Sequence, residues 1–121
     1  MPLIFAVANN PRYIIRGKTI ISLNADKPAI TAASDHHSLP FTNQTFDLQK
    51  GDCIYLFTDG YADQFGGVLG KKFMYKRFKD LFMAIHDNTM EEQKTILYTP
   101  FENWKGNLEQ VDEVLVIGVK I

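Results

Sequence analysis

Asp59 follows the apolar run Cys53-Ile54-Tyr55-Leu56-Phe57 after a single threonine, Thr58, and is itself followed at once by Gly60. Asp112 and Glu113 stand directly before a second such run, Val114-Leu115-Val116-Ile117-Gly118-Val119. One carboxylate thus ends an apolar segment and another begins one. If the two segments are strands paired antiparallel, the end of the first lies beside the start of the second, and Asp59 and Asp112 reach the same edge of a sheet. Like charges at the rim of a buried sheet repel unless a cation joins them, and carboxylate oxygens are what hard divalent cations bind. The pattern makes Asp59 and Asp112 candidate metal ligands.

These carboxylates need a sheet to hold them. Cys53–Phe57 is apolar at every position and is bounded by Gly51-Asp52 and Asp59-Gly60, which favours a strand covered on both faces over a helix. Upstream, Leu3–Ala8, Arg12–Arg16 and Lys18–Leu23 are short β-rich runs separated by Asn9-Asn10-Pro11 and Arg16-Gly17-Lys18, a pattern that predicts a three-stranded antiparallel meander. Asn24 to Pro40 has no sustained period and reads as a surface connection. Phe41–Gln49 resumes strand character, and Lys50-Gly51-Asp52 predicts a hairpin turn into the buried strand. Asp52 has a turn role there, at the opposite end of that strand from Asp59.

Beyond Asp59 the pattern changes. Gly60, Gly66, Gly67 and Gly70 predict a mobile loop over the rim. Lys71 to Ile85 predicts an amphipathic helix, with Met74, Phe78, Leu81, Phe82 and Ile85 on the core face and Lys72, Lys76 and Lys79 on a solvated one. Thr89-Met90-Glu91-Glu92 has the spacing of a capping box, so a second helix starts there. Pro100 predicts a kink or an end near Tyr98, Gly106 suits a final stop, and Phe101 and Trp104 read as packing residues.

The chain's 121 residues, 45% of them hydrophobic, make one globular unit able to bury about 65% of its unfolded surface. Thirteen basic and 14 acidic residues leave a formal charge of −1, so no global field favours nucleic acid or an anionic membrane. No run is long and apolar enough to span a membrane, and the one cysteine, Cys53, lies inside a buried run, which fits a reducing, cytoplasmic setting. His36-His37 lacks the partners of a zinc site, and the Gly66–Lys71 stretch does not complete a nucleotide loop.

Taken together, Gly51-Asp52, Phe57-Thr58-Asp59-Gly60-Tyr61-Ala62-Asp63-Gln64-Phe65-Gly66-Gly67 and Gln110-Val111-Asp112-Glu113-Val114-Leu115-Val116-Ile117 resemble the C-terminal half of the metal-dependent PPM protein phosphatases, in their bacterial SpoIIE-like branch. Ala8-Asn9-Asn10-Pro11 is similar, less closely, to the family's Ala-Gly-His-Asn-Pro segment. Two separated motifs in the right order are far more specific than an isolated Asp-Gly. The resemblance implies an α+β fold: an antiparallel sheet with two helices, forming part of the αββα sandwich of the complete phosphatase domain. The family's site also needs an aspartate from a strand and Gly-His-Gly-like turn in the first half of the domain, and these 121 residues contain no such segment. Residues 1–121 are therefore expected to be a partial SpoIIE-like domain.

Carried over residue by residue, the resemblance implies that Asp59 and Asp112 are ligands for Mn²⁺ or Mg²⁺. Asp63 matches an acidic position that binds a weaker third metal in some relatives, and Glu113 replaces a second aspartate in a supporting role. Complete domains hydrolyse phosphoserine or phosphothreonine without a phosphoenzyme, the ions supplying nucleophile and charge neutralisation. The implied substrate is a phosphoprotein, such as an anti-sigma-factor antagonist, and the expectation for this chain alone is inactivity. The competing expectation is a non-catalytic interaction module. Two strands apolar on both faces also predict a homodimer.

Overall fold

The computed structural model describes residues 2–5, 12–23 and 44–121. In chain order the elements are β1 (Pro2–Phe5), β2 (Arg12–Arg16), β3 (Thr19–Leu23), β4 (Gln44–Asp47), β5 (Cys53–Phe57), β6 (Phe65–Gly66), β7 (Lys71–Lys72), α1 (Tyr75–Ile85), α2 (Met90–Lys105) and β8 (Val116–Lys120). The main sheet is four-stranded and antiparallel, in the order β3-β2-β5-β8. The expected α+β architecture, an antiparallel sheet with two helices, is present.

Period-two alternation sorts the side chains of the central strands onto two faces. Tyr13, Ile15, Cys53, Tyr55 and Phe57 face the helices and pack with Phe78, Phe82, Ile85 and Phe101. This core is aromatic: Tyr55 stacks on Phe82 with centroids 4.0 Å apart, Tyr61 stacks on Phe78 at 4.5 Å, and Phe57 meets Phe78 edge-on at 4.9 Å. Such pairs add about 0.5–1.5 kcal/mol each beyond their area burial. The other face carries Ile14, Ile54 and Leu48, with Ile21, Leu23, Phe46, Leu56 and Ile121 against them. Cys53 is a free, buried thiol whose pKa burial pushes up, as a packing residue's would be.

The meander expectation is corrected in one respect. β2 and β3 form the expected hairpin, but β1 pairs with β4 in a separate two-stranded sheet. Both edges of β2 are already occupied, by β3 and β5, so β1 has no ladder to join there. The Lys50-Gly51-Asp52 turn likewise does not close a hairpin, since β4 and β5 belong to different sheets. Gly51, at φ +93°, carries the chain from one sheet to the other, and its N–H bonds to the Ile121 carbonyl at 2.8 Å. The histidine pair, the Asn24–Pro40 connection and the Ala8–Pro11 segment lie outside the described residues.

The glycine-rich stretch also differs from expectation. It forms the short β6–β7 hairpin, pinned by Gly67 N–H to the Trp104 carbonyl at 2.9 Å and by the Trp104 indole N–H to the Gln64 carbonyl at 2.9 Å. A Cβ at Gly66 would overlap the Trp104 carbonyl, so this glycine serves packing against α2. Helix α1 buries Phe78, Phe82 and Ile85 as predicted, but Met74 precedes it and points outward, 58% exposed. Helix α2 begins with the predicted capping box and is capped by Gly106, and it does not end near Tyr98 but continues past Pro100 to Lys105. Burial of Phe101 and the packing of Trp104 beyond the proline offset the lost backbone hydrogen bond. β8 is an edge strand whose Ile117 and Val119, like Leu115 just before it, are about half exposed, so the second apolar run is not covered as the first is.

Candidate functional site

The β5–β8 register places Phe57 opposite Val116, so the chain leaving β5 runs beside the chain entering β8. Thr58 extends this contact past the last ladder pair. Its N–H bonds to the Leu115 carbonyl at 3.0 Å; its hydroxyl accepts from Leu115 N–H at 3.0 Å and donates to the Glu113 carbonyl at 2.9 Å. Gly60 then passes so close to Glu113 that a Cβ would overlap that residue's carbonyl, so only glycine fits. As a result Thr58, Asp59, Gly60, Asp112 and Glu113 line one cavity of about 320 Å³. Asp59 and Asp112 thus line the same cavity, as the antiparallel pairing of β5 and β8 implies.

The remaining acidic residues are placed differently. Asp63 sits one turn beyond Asp59, its N–H bonded to the Asp59 carbonyl at 2.9 Å, and its carboxylate lies 3.7 Å from the Lys72 ammonium. It does not line the cavity. Asp52 is buried at the far end of β5, where Arg16 grips both carboxylate oxygens at 3.0 and 2.8 Å and Gln49 N–H adds a bond at 2.8 Å. Those bonds hold the Asp52 carboxyl below its usual range despite the opposing effect of burial, and the turn role assigned to it is thus also an ion pair.

Sequence patterns did not single out Tyr75, the first residue of α1. Its hydroxyl donates to Asp59 Oδ1 at 2.6 Å, and its ring lies 6.2 Å from that of Phe57. Burial, reinforced by the bond to Asp59, pushes the Tyr75 phenol above its ordinary range, so it stays a donor. No short-range signal marks this residue, because the contact spans 16 positions and a helix start.

The acidic residues lining the cavity are Asp59, Asp112 and Glu113, all hard oxygen donors, and among the described residues no thiol or imidazole lines it. That suits Mg²⁺ or Mn²⁺ rather than zinc. Among the described residues no three or more His, Cys, Asp or Glu side chains gather as a metal-binding group. A larger groove of about 580 Å³, lined by Tyr55, Leu97, Phe101, Val116 and others between α2 and the sheet, contains neither aspartate.

An antiparallel sheet with two helices matches the fold of solved PP2C phosphatase domains. The SiaA-PP2C domain of Pseudomonas aeruginosa superposes with a TM-score of 0.85 at 25% identity, over 99% of this chain and 46% of that one. The PP2C phosphatase domain of SpoIIE from Bacillus subtilis, solved with a fragment of its regulatory domain, gives 0.71 at 17% identity over 98% of this chain and 33% of that one. The phosphatase domain of the same protein from manganese-presoaked crystals gives 0.61 at 17% identity, over 99% and 50%. This chain thus spans half or less of the length of these structures. No curated protein sequence matches it. The SpoIIE family, Stage II sporulation protein E, matches residues 3–121, and the chain belongs to that family.

Proposed function

We propose that this chain carries the C-terminal part of a Mn²⁺- or Mg²⁺-dependent phosphoserine/phosphothreonine protein phosphatase site, with Asp59 and Asp112 as metal ligands. The observation that supports this most is their convergence on one cavity at the end of the β5–β8 pair. A bound divalent cation would neutralise the clustered carboxylates, offset phosphoryl charge and acidify water for attack on phosphorus. Thr58 fixes the spacing of the two ligand segments, and Gly60 keeps the approach open. Asp63 is a candidate for a further, weaker ion, in competition with its pairing to Lys72. The substrate class is a phosphoprotein in bacterial signalling, of the anti-sigma-factor-antagonist kind, in the cytoplasm.

The aspartate segment that the family's site takes from the first half of the domain is not among these 121 residues, and no three acidic, His or Cys side chains gather as a metal-binding group among the described residues, so the expectation for the 121-residue chain by itself is little or no turnover. The half-exposed Ile117 and Val119 on the β8 edge, with Leu115 just before it, favour a second reading alongside it, association through this face with another copy. No helix among the described residues is long and apolar enough to cross a membrane.

Titration of the chain with Mn²⁺ tests the main reading. Asp59→Asn and Asp112→Asn should each weaken binding, whereas Asp52→Asn should leave it unchanged. Equal losses from all three would remove the rim assignment, and phosphopeptide turnover at ~1 s⁻¹ or faster by the isolated chain would contradict the expected inactivity. Sedimentation at micromolar concentration addresses association: a stable monomer excludes the dimer.

A further inference from the structure

Tyr75 and Asp59 are joined by the shortest side-chain hydrogen bond at the rim, 2.6 Å, and the residue before Tyr75 is held in an unusual backbone conformation. Met74 has φ 80° and ψ 150°, a region almost confined to glycine, and it is the one non-glycine residue with positive φ among the described residues. The strain is not repaid by packing, because the Met74 side chain is 58% exposed. It is imposed by two backbone bonds that clamp the chain just before it: Phe73 N–H to the Gln64 carbonyl at 2.9 Å and Met74 N–H to the Ala62 carbonyl at 2.7 Å. The acceptors belong to the loop that follows Asp59. The same loop therefore carries the carboxylate and sets where α1 begins.

We propose that Tyr75 is a positioning residue for the metal site, its hydroxyl occupying Asp59 Oδ1 so that the other carboxylate oxygen is presented to a divalent cation. This inference rests on the reading of Asp59 as a ligand. Asp59 is exposed and follows the end of a strand, and an unrestrained carboxylate there would rotate among several orientations. Among the described residues no donor other than Tyr75 holds its side chain. Tyr75 can do so because its ring is fixed against Phe57 in the aromatic core and its backbone starts a helix. Carboxylate ligands depend on such outer hydrogen bonds for orientation, and removing one typically costs about ten- to a hundredfold in metal affinity.

The test uses the 121-residue chain, with Mn²⁺ alone as the probe and loss of the free-ion electron paramagnetic resonance signal as the readout. Tyr75→Phe, which keeps the ring, should weaken Mn²⁺ binding about tenfold while leaving the metal-free melting temperature unchanged. In an Asp59→Asn background, Tyr75→Phe should cause no further loss, since there is no longer a ligand to orient. If Asp59→Asn weakens binding and Tyr75→Phe does not, the positioning role is wrong and the metal reading stands. A further loss from Tyr75→Phe in the Asp59→Asn background would show that Tyr75 acts elsewhere, and the role is again overturned. If wild-type chain takes up no Mn²⁺ at millimolar concentration, or Asp59→Asn binds as wild type does, the metal reading itself fails and takes this inference with it.

Discussion

The Thr58 hydroxyl donates to the carbonyl of Glu113 at 2.9 Å, across 55 residues of sequence, and joins the two segments that hold the candidate ligands. It also accepts from Leu115 N–H, so one side chain satisfies two backbone groups just beyond the last ladder pair of β5 and β8. The spacing of Asp59 and Asp112 is set here rather than by any contact of their own carboxylates.

Thr58→Val keeps the shape of the side chain and removes both bonds, leaving Leu115 N–H and the Glu113 carbonyl without that partner. We expect a loss of about 1–2 kcal/mol in urea unfolding at neutral pH. Thr58→Ser, which retains the hydroxyl, should stay close to wild type. Equal losses in the two variants would show that the methyl group matters and the hydroxyl does not.

Asp52 gives a stability term with a defined pH sign. Hydrogen bonds from Arg16 hold its folded-state pKa below the ordinary value of about 3.9, so in acid the unfolded chain takes up a proton before the folded chain does. The contribution is therefore complete above about pH 4 and is lost as pH falls towards the folded pKa. Asp52→Asn should be less stable than wild type at neutral pH, and the gap should close in acid. Denaturant midpoints of both proteins across the acid range provide the check; a gap that is constant with pH would exclude the ion pair as its source.

Met74→Gly should stabilise the chain. Relief of the strained conformation is worth about 1–3 kcal/mol, and the greater freedom of glycine in the unfolded state takes back about 0.5–1 kcal/mol, leaving a net gain of about 1 kcal/mol. That corresponds to a melting temperature a few degrees higher. Met74→Ala should bring no such gain, because alanine shares the steric limits of methionine at this φ. A melting temperature that does not rise in Met74→Gly would mean that the strain is not stored at this residue.

Much of the site was legible in the sequence because its determinants are local. A five-residue apolar run bounded by turn residues favours a covered strand over a helix, and Cys53–Phe57 is one. The threonine and glutamate of the α2 capping box are three residues apart and identify each other by spacing alone. Even the meeting of Asp59 and Asp112 follows from two strand ends and one assumption, antiparallel pairing, which is what β5 and β8 do.

What the tertiary structure alone decided involves partners that no period or spacing connects. β1 reads as a strand in the sequence, but its pairing with β4 depends on both edges of β2 being taken. Asp52 reads as a turn residue, and only the fold brings Arg16 to it from 36 positions away. Met74 belongs by periodicity to the buried face of a helix expected from Lys71, yet Lys71–Lys72 form β7 and the clamp on Ala62 and Gln64 starts α1 only at Tyr75, leaving the Met74 side chain in solvent. The same clamp aims Tyr75 at Asp59. Local patterns set which residues form strands, caps and apolar faces; which hydroxyl meets which carboxylate was decided by the packing of distant segments, because a hydrogen bond is fixed by relative positions within a few tenths of an ångström and sequence spacing encodes none of them.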